Sequence, residues 1–244
     1  MLSKGVFARL CLIMGLLPMS AAPAAIPFSA VVFDLDGTLI DSARDMTRVL
    51  NRTLSRFARP TLTEAQVRGM VGDGSAALVR QAFAATGDAL TDEALQPALA
   101  DYLDAYFQDD ESAVLYPGVP ETLKGLADGG VKLGLCTNKP ERITRKLLDT
   151  LGLSPLFGAL AGGDTLPVKK PDGRHLSWVV EALGGGSAAM VGDNRNDVKA
   201  ARAAGLPVVA MTYGYPRMPV QELGADILLD RIADLPDALR RLGA

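Results

Sequence analysis

The apolar run Val31-Val32-Phe33 leads into Asp34-Leu35-Asp36, and Gly37-Thr38 breaks it. A short continuous run of this kind reads as a buried strand that stops at the two acids. From 42 to 111 the pattern changes to helical spacing with no convincing strand. Ser42 predicts an N-cap for a helix reaching about Phe57. Thr63-Glu64-Ala65-Gln66 has the form of a capping box, and Thr91 followed by Asp92 and Glu93 opens another helix with acids suited to its dipole. Gly72-Asp73-Gly74 interrupts this stretch, and Tyr116-Pro117-Gly118 ends it. Beyond it the pattern alternates. Strands are predicted over 131–137, 158–161, 188–192, 207–211 and 225–229. Helices are predicted over 140–151, 175–183 and 196–204.

Strands that alternate with helices imply βαβ units and a parallel sheet, so the fold class is α/β. The helical stretch is then an insertion. The expected organisation is an α/β core over 27–41 and 112–244, a helical unit over 42–111, and a separate segment over 1–26. Ligands of an open parallel sheet bind outside the carboxyl ends of its strands. Asp34 and Asp36 fall at such an end, as do Thr137-Asn138-Lys139 and Asp193. The insertion leaves the sheet at the same edge, where it would form a lid.

Composition narrows this picture without redirecting it. A 48% hydrophobic and 22% charged chain of 244 residues is ordinary for a globular protein. The net charge of −3 offers no basic field for nucleic acid. One histidine, His175, argues against paired-histidine metal chemistry, and Cys11 with Cys136 does not form a disulfide framework. At the start, Lys4 and Arg9 precede the apolar run Leu10 to Leu17, and Ala22-Pro23-Ala24 resembles a cleavage site. That is the layout of a secretory signal, and the run is too short for a stable membrane anchor. The alternative is an over-extended start with Met19 opening the chain. We favour it because the first strand's apolar run begins only at Phe28, which gives a cytoplasmic protein; a functional signal would give an exported one.

Two carboxylates at a strand end are costly to bury unpaired, so they face a cleft. With residue frequencies of about 5–9%, the pattern D-x-D-G-T-L arises by chance at roughly one position in a million. The three converging segments have the groups that phosphoryl transfer requires. Asp34 is the candidate nucleophile. Asp36 is the candidate acid that protonates the leaving alcohol and then activates water. A Mg²⁺ ion shared by Asp34, Asp193 and a backbone oxygen of Asp36 would relieve repulsion between carboxylate and phosphate. Thr137 and Asn138 offer donors to phosphate oxygens, and Lys170 brings positive charge to nucleophile and phosphate.

These motifs, in this order, resemble those of the haloacid dehalogenase-like hydrolase superfamily, and within it the phosphoglycolate phosphatases. They are Asp34-Leu35-Asp36-Gly37-Thr38, Thr137-Asn138-Lys139, Lys170-Pro171, and Val191-Gly192-Asp193-Asn194-Arg195-Asn196-Asp197. The likeness covers roughly 28 to 240 and extends to Gly162-Gly163-Asp164-Thr165, Ala200-Ala201, Ala204-Gly205 and Thr212-Tyr213-Gly214-Tyr215. It implies a Rossmann-like parallel core with an inserted helical cap that selects the substrate. It also implies a Mg²⁺-dependent phosphatase with an aspartyl-phosphate intermediate, most plainly one for 2-phosphoglycolate. The candidate catalytic residues are Asp34, Asp36, Thr137 and Lys170, and the candidate metal residues are Asp34, Asp36 and Asp193. Gly37, Thr38, Asn138 and Lys139 are the candidate substrate-binding residues. The expected partner is a small phosphorylated metabolite, bound by a monomer or weak homodimer. One departure is Gly173-Arg174-His175 after Lys170-Pro171-Asp172, where the family more often has a second proline.

Other readings compete. A sugar phosphate phosphatase or phosphomutase of the same superfamily, or a pyrophosphatase, shares this apparatus. A dehalogenase needs neither Asp36 nor Mg²⁺. Cys136 to Arg142 has the C-x5-R spacing of cysteine phosphatases, but its loop lacks glycine and has Glu141. Among bordering residues, Asp197 reads as a helix cap or an orienting acid, Asp41 as a residue of the helix start, Asp172 as a loop acid and Lys169 as solvent-exposed. His175 and Trp178 are expected to pack or to face solvent on their helix.

Overall fold

The computed structural model describes residues 25–109 and 113–243. The signal-like segment before Ala25 lies outside the described residues, as does the expected boundary at 111–112. Six strands form one parallel sheet: β1 Ala30–Phe33, β4 Lys132–Cys136, β5 Phe157–Ala161, β6 Ala188–Gly192, β7 Val208–Met211 and β8 Ile227–Leu229. Their spatial order is β5-β4-β1-β6-β7-β8. The chain moves outward from β1 through β4 to β5, then returns to β6 on the other side of β1. The strand order therefore diverges between β1 and β6, and that is where an open α/β sheet forms its ligand crevice.

Strand alternation assigns the two faces. Val31 and Phe33 pack with Leu123, Leu147 and Leu239, from α5 (Val119–Asp128), α6 (Glu141–Thr150) and α9 (Leu235–Leu242). Ala30 and Val32 pack with Val179 and Val198, from α7 (Gly173–Ala182) and α8 (Arg195–Ala203). Every residue of β1 is buried, as expected for a central parallel strand covered on both faces. The predicted strands and helices of this part are present, with ends displaced by one or two residues. Two helices lie outside the expected elements, α5 and α9. Each has a proline in its first turn, Pro120 and Pro236. Proline usually punctuates a helix, but there its missing N–H costs nothing.

Between β1 and β4 come α1 (Ala43–Arg56), α2 (Glu64–Arg68), α3 (Ser75–Thr86) and α4 (Asp92–Gln108). α1 packs on α2, α3 and α4, and α3 packs on α4. The Thr63 capping box and the Thr91 cap form as predicted. A two-residue antiparallel ribbon, β2 (Ile40–Asp41) with β3 (Val114–Leu115), joins the two crossings of chain between this block and the sheet. The apolar residues of these four helices, including Met46, Leu50, Leu78 and Tyr102, form one continuous cluster with the sheet face bearing Phe33. No helix among the described residues is long and apolar enough to cross a membrane.

Candidate active site

Asp34 and Asp36 follow β1 at the crevice, and Asp193 follows β6 beside them. Asp34 is 5% exposed and Asp193 fully buried. Lys170 is buried as well; its Nζ lies 2.9 Å from Asp34 Oδ1 and donates to Asp197 Oδ1 at 2.6 Å. Burial pushes the Asp34 carboxyl up to about 6, against the lowering pull of the Lys170 ammonium. Burial likewise raises Asp193, and the neighbouring Asp197 and Asp34 add to it. Burial disfavours the charge on Lys170, but Asp197 and Asp34 outweigh this and hold it above the ordinary lysine range.

Oxygens of Asp34, Asp193 and Asp197 lie within 4.8 Å of one another. The buried Asp34 Oδ1 has the Lys170 ammonium at 2.9 Å and no other polar partner among the described residues. With Asp36, four carboxylates meet the two ammonium groups of Lys139 and Lys170. When all four are ionised, the excess of two negative charges is what one divalent cation would neutralise, and its charge would oppose the burial that raises Asp34 and Asp193. An all-oxygen donor set suits a hard cation such as Mg²⁺. The residues present therefore fit the expected ion.

The three acids differ in their free capacity. Asp197 accepts from the Asp193 and Asn194 backbone N–H groups at 3.0 Å and from Lys170, and it closes a capping box at the start of α8. Its oxygens are committed to orienting the loop, as the cap reading expects. Asp193 accepts from Asn194 Nδ2 at 3.0 Å and from the Tyr215 N–H at 2.6 Å. Gly37 adopts φ +83°, and a Cβ there would stand 2.2 Å from Asp193 Oδ2. Thus Gly37 is required for its backbone conformation and for room beside Asp193.

The Asp36 carboxylate turns away from this cluster. Lys139 Nζ donates to it at 3.0 and 3.1 Å, and the Ser42 hydroxyl donates to it as well. Ser42 does stand at the start of α1, but its side chain makes no capping bond. The carboxylate has taken the hydroxyl that the expected cap would use. Lys139 is enclosed, with its Nζ also 3.2 Å from the Tyr106 hydroxyl and 4.5 Å from that ring's centre.

A small cavity of about 40 Å³ adjoins these groups. Asp34, Asp36, Thr137, Asn138 and Lys139 line it from the sheet side, and Met46, Val71, Gly72, Gly74, Ser75, Leu78 and Tyr102 from the helical side. Lys170 reaches Asp34 from behind this wall. Thr38 is buried outside it and accepts at its carbonyl from the Tyr213 hydroxyl at 2.8 Å. Asn138 Nδ2 donates to the carbonyls of Gly72 and Lys170, both at 2.9 Å, and so ties the helical side to the sheet side. Thr38 Oγ1 and Asn138 Oδ1 are buried without a protein partner.

A sequence profile of haloacid dehalogenase-like hydrolases matches residues 28–205. The chain belongs to the haloacid dehalogenase-like hydrolase family. It is 46% identical over 217 residues to a phosphoglycolate phosphatase of Rhodospirillum rubrum, across 86% of this chain and 90% of that one. It is 43% identical over 214 residues to a phosphoglycolate phosphatase of Caulobacter vibrioides, with the same two coverages. The crystal structure of a predicted phosphoglycolate phosphatase from Haemophilus somnus matches the fold with a TM-score of 0.80 and 30% identity, over 86% of this chain and 97% of that one. As a member of this family close to its phosphoglycolate phosphatases, the protein is a phosphatase.

The cysteine alternative finds no matching geometry in this haloacid dehalogenase-like hydrolase. Burial pushes the Cys136 thiol up to about 12, and its sulfur lies 3.3 Å from His175 Nδ1. Arg142, the arginine of that spacing, is stacked 3.6 Å above the Phe107 ring. His175 is fully buried, with Nε2 3.0 Å from the Gly162 carbonyl. Burial, with Lys170 nearby, lowers the ring to about 4 and keeps it neutral. Asp41 accepts from the Ala43 N–H at 3.4 Å, as a residue at a helix start does, and also pairs with Arg68 at 2.8 Å. Asp172 caps α7. Lys169 corrects its expectation: it is only partly exposed, and Nζ donates to the Asp73 carbonyl at 2.7 Å.

Tyr106, Ser42, Tyr102 and Tyr215 hold or line the site without having been expected there. Their sequence signals are a cap position for Ser42, helical spacing for Tyr102 and Tyr106, and the Thr212-Tyr213-Gly214-Tyr215 text for Tyr215, none of which states a contact.

Proposed function

We propose that the protein is a Mg²⁺-dependent phosphomonoesterase that hydrolyses 2-phosphoglycolate to glycolate and phosphate through an aspartyl phosphate on Asp34. The observation that carries this reading is the pairing of Asp34 and Asp36 in the wall of a cavity of only about 40 Å³. In this reading the helical unit over 42–111 is a cap on the α/β core, and it swings away for substrate exchange.

The Asp34 carboxylate attacks phosphorus in line with the leaving oxygen. The P–O bond to glycolate breaks, and Asp36 delivers a proton to that oxygen. Asp36 then takes a proton from water as the water attacks phosphorus, and the bond to Asp34 breaks. Lys170 holds Asp34 oriented and opposes the charge on the phosphoryl oxygens. The Thr137 hydroxyl holds those oxygens; the Asn138 side-chain amide is spent on the Gly72 and Lys170 carbonyls, so that residue offers them only its backbone N–H. The Asp34 and Asp193 carboxylates and the Asp36 carbonyl would hold Mg²⁺, which when bound neutralises charge between nucleophile and phosphate. Closure of the cap keeps bulk water from the phosphoryl enzyme.

The leaving group is read from the helical wall. Gly74 and Ser75 bring the N-terminus of α3 to the cavity, and that end has no side-chain cap. Its free N–H groups favour an anion. Lys139 is the cationic side chain in the wall and can pair with a carboxylate. A short ester whose alcohol bears a carboxylate meets both features.

Phosphate release from a panel of small esters, in Mg²⁺ and in excess EDTA, tests this. Turnover is expected to be highest on 2-phosphoglycolate, to drop to background in EDTA and to return with added Mg²⁺. Equal turnover of an uncharged ester of the same size would remove the carboxylate reading. Turnover that persists in EDTA would remove the metal.

A further inference from the structure

Residues 70–74 join α2 to α3 and put Val71, Gly72 and Gly74 into the cavity wall. Gly72 and Gly74 adopt φ +119° and +90°, so the local sequence gives this segment much conformational freedom. Its order comes from the sheet side. Side chains that follow four successive strands, three on loops and one in the first turn of α8, reach it. Asn138, after β4, donates to the Gly72 carbonyl. Lys169, after β5, donates to the Asp73 carbonyl. Asn196, after β6, donates from Nδ2 to Asp73 Oδ1 at 2.7 Å and to the Gly72 carbonyl at 3.1 Å. Arg217, after β7, makes the widest grip: Nη1 donates to Asp73 Oδ2 at 2.6 Å, and Nη2 to the carbonyls of Met70 and Val71 at 2.6 and 2.5 Å.

Arg217 does not act from a free end. Two residues earlier, the Tyr215 N–H is bonded to Asp193, and the Tyr215 hydroxyl accepts from the N–H groups of Ser42 and Ala43 at 2.8 and 3.1 Å. The same hydroxyl donates to Asp41 Oδ1 at 2.7 Å. The segment 213–217 is thus fastened to the site acid and to the first crossing into the helical unit. Arg217 projects from a fixed base onto the part of that unit that walls the cavity.

We propose that Arg217 is a positioning residue that latches the Gly72-Asp73-Gly74 turn over the active site through Asp73. This rests on the reading of 42–111 as a cap. Opening of the cap parts the Arg217–Asp73 pair together with the two carbonyl bonds, so the latch contributes only to the closed form. It touches no reacting atom. Its loss lowers the population of the closed form, which substrate binding must then restore, so the effect falls on KM rather than on kcat. The pair is partly exposed, with side-chain exposures of 34% and 41%, which limits its strength.

The test is amide hydrogen exchange over 70–76 in wild type, Arg217→Ala, Arg217→Lys, Asp73→Asn and the remote control Arg202→Ala, each with Mg²⁺ and inorganic phosphate as the probe. Steady-state kinetics on the best ester of the panel accompany it. Exchange over 70–76 is expected to rise roughly tenfold in Arg217→Ala and Asp73→Asn, with the effect in the double variant smaller than the two single effects combined. Lysine is expected to restore part of the protection, and Arg202→Ala to change nothing there. KM should rise roughly tenfold in Arg217→Ala with kcat within about threefold of wild type. Unchanged exchange over 70–76 in Arg217→Ala overturns the latch, as does a fall in kcat at constant KM. Exchange reads the latch without any turnover, so a wild type inactive on every ester would overturn the proposed function and leave the latch to be judged by exchange.

Discussion

Asp34→Asn is expected to lower phosphate release by roughly 10⁴- to 10⁶-fold while the protein stays folded, because loss of a nucleophile removes the covalent route altogether. The substitution keeps size and shape. Burial already pushes the Asp34 carboxyl up to about 6, so the fold gains little from its charge, and a neutral amide is tolerated there. The amide cannot attack phosphorus. It also removes one oxygen ligand for a cation, so the assay is run across a wide range of Mg²⁺ concentration. A loss that persists at saturating Mg²⁺ belongs to the nucleophile. Recovery to within roughly a hundredfold of wild type would mean that Asp34 only holds the ion and another group attacks.

Lys170→Met has a different signature, because it strikes stability and chemistry together. The side chain is 1% exposed and its ammonium stands between Asp34 and Asp197, at 2.9 and 2.6 Å. Methionine fills much of the space but leaves a buried cluster of carboxylates with no positive partner of its own. Breaking a buried pair in this way costs about 3–5 kcal/mol. For a chain of this size that lowers the melting midpoint by on the order of 10 °C. Activity is expected to fall by roughly 10²–10³-fold, the scale of losing one fixed charge donor to developing negative charge. Added Mg²⁺ should recover part of the lost melting temperature, since a divalent cation answers the same excess of charge. A variant that melts like wild type would show that Lys170 does not offset these acids.

The sheet and the meeting of Asp34, Asp36 and Asp193 at one edge were legible because each follows from local text, whereas Lys170 was singled out only by the order of the motifs. An apolar run ending in acids marks a strand end, and parallel topology brings strand ends to one edge. What the sequence did not disclose depends on contacts between segments far apart in the chain. The Ser42 hydroxyl suits a cap in local terms, and only the approach of Asp36 diverts it. Lys169 reads as a solvated neighbour of Lys170 until the turn at Asp73 comes within its reach. The Lys139 ammonium meets Asp36 and Tyr106 across 103 and 33 residues of chain, spacings to which no periodic pattern points. α5 and α9 were hidden by their first-turn prolines, Pro120 and Pro236, which read locally as helix breaks.

The most direct test of the central claim is the stereochemical course at phosphorus. The phosphorothioate analogue of 2-phosphoglycolate, made chiral at phosphorus with two of the stable oxygen isotopes, is hydrolysed in Mg²⁺ in water carrying the third, so that the product thiophosphate is chiral. Attack by Asp34 followed by attack of water is two in-line displacements, each inverting the centre, so net retention is predicted. Net inversion would mean that water attacks the ester in a single step, and Asp34 would then not be the nucleophile.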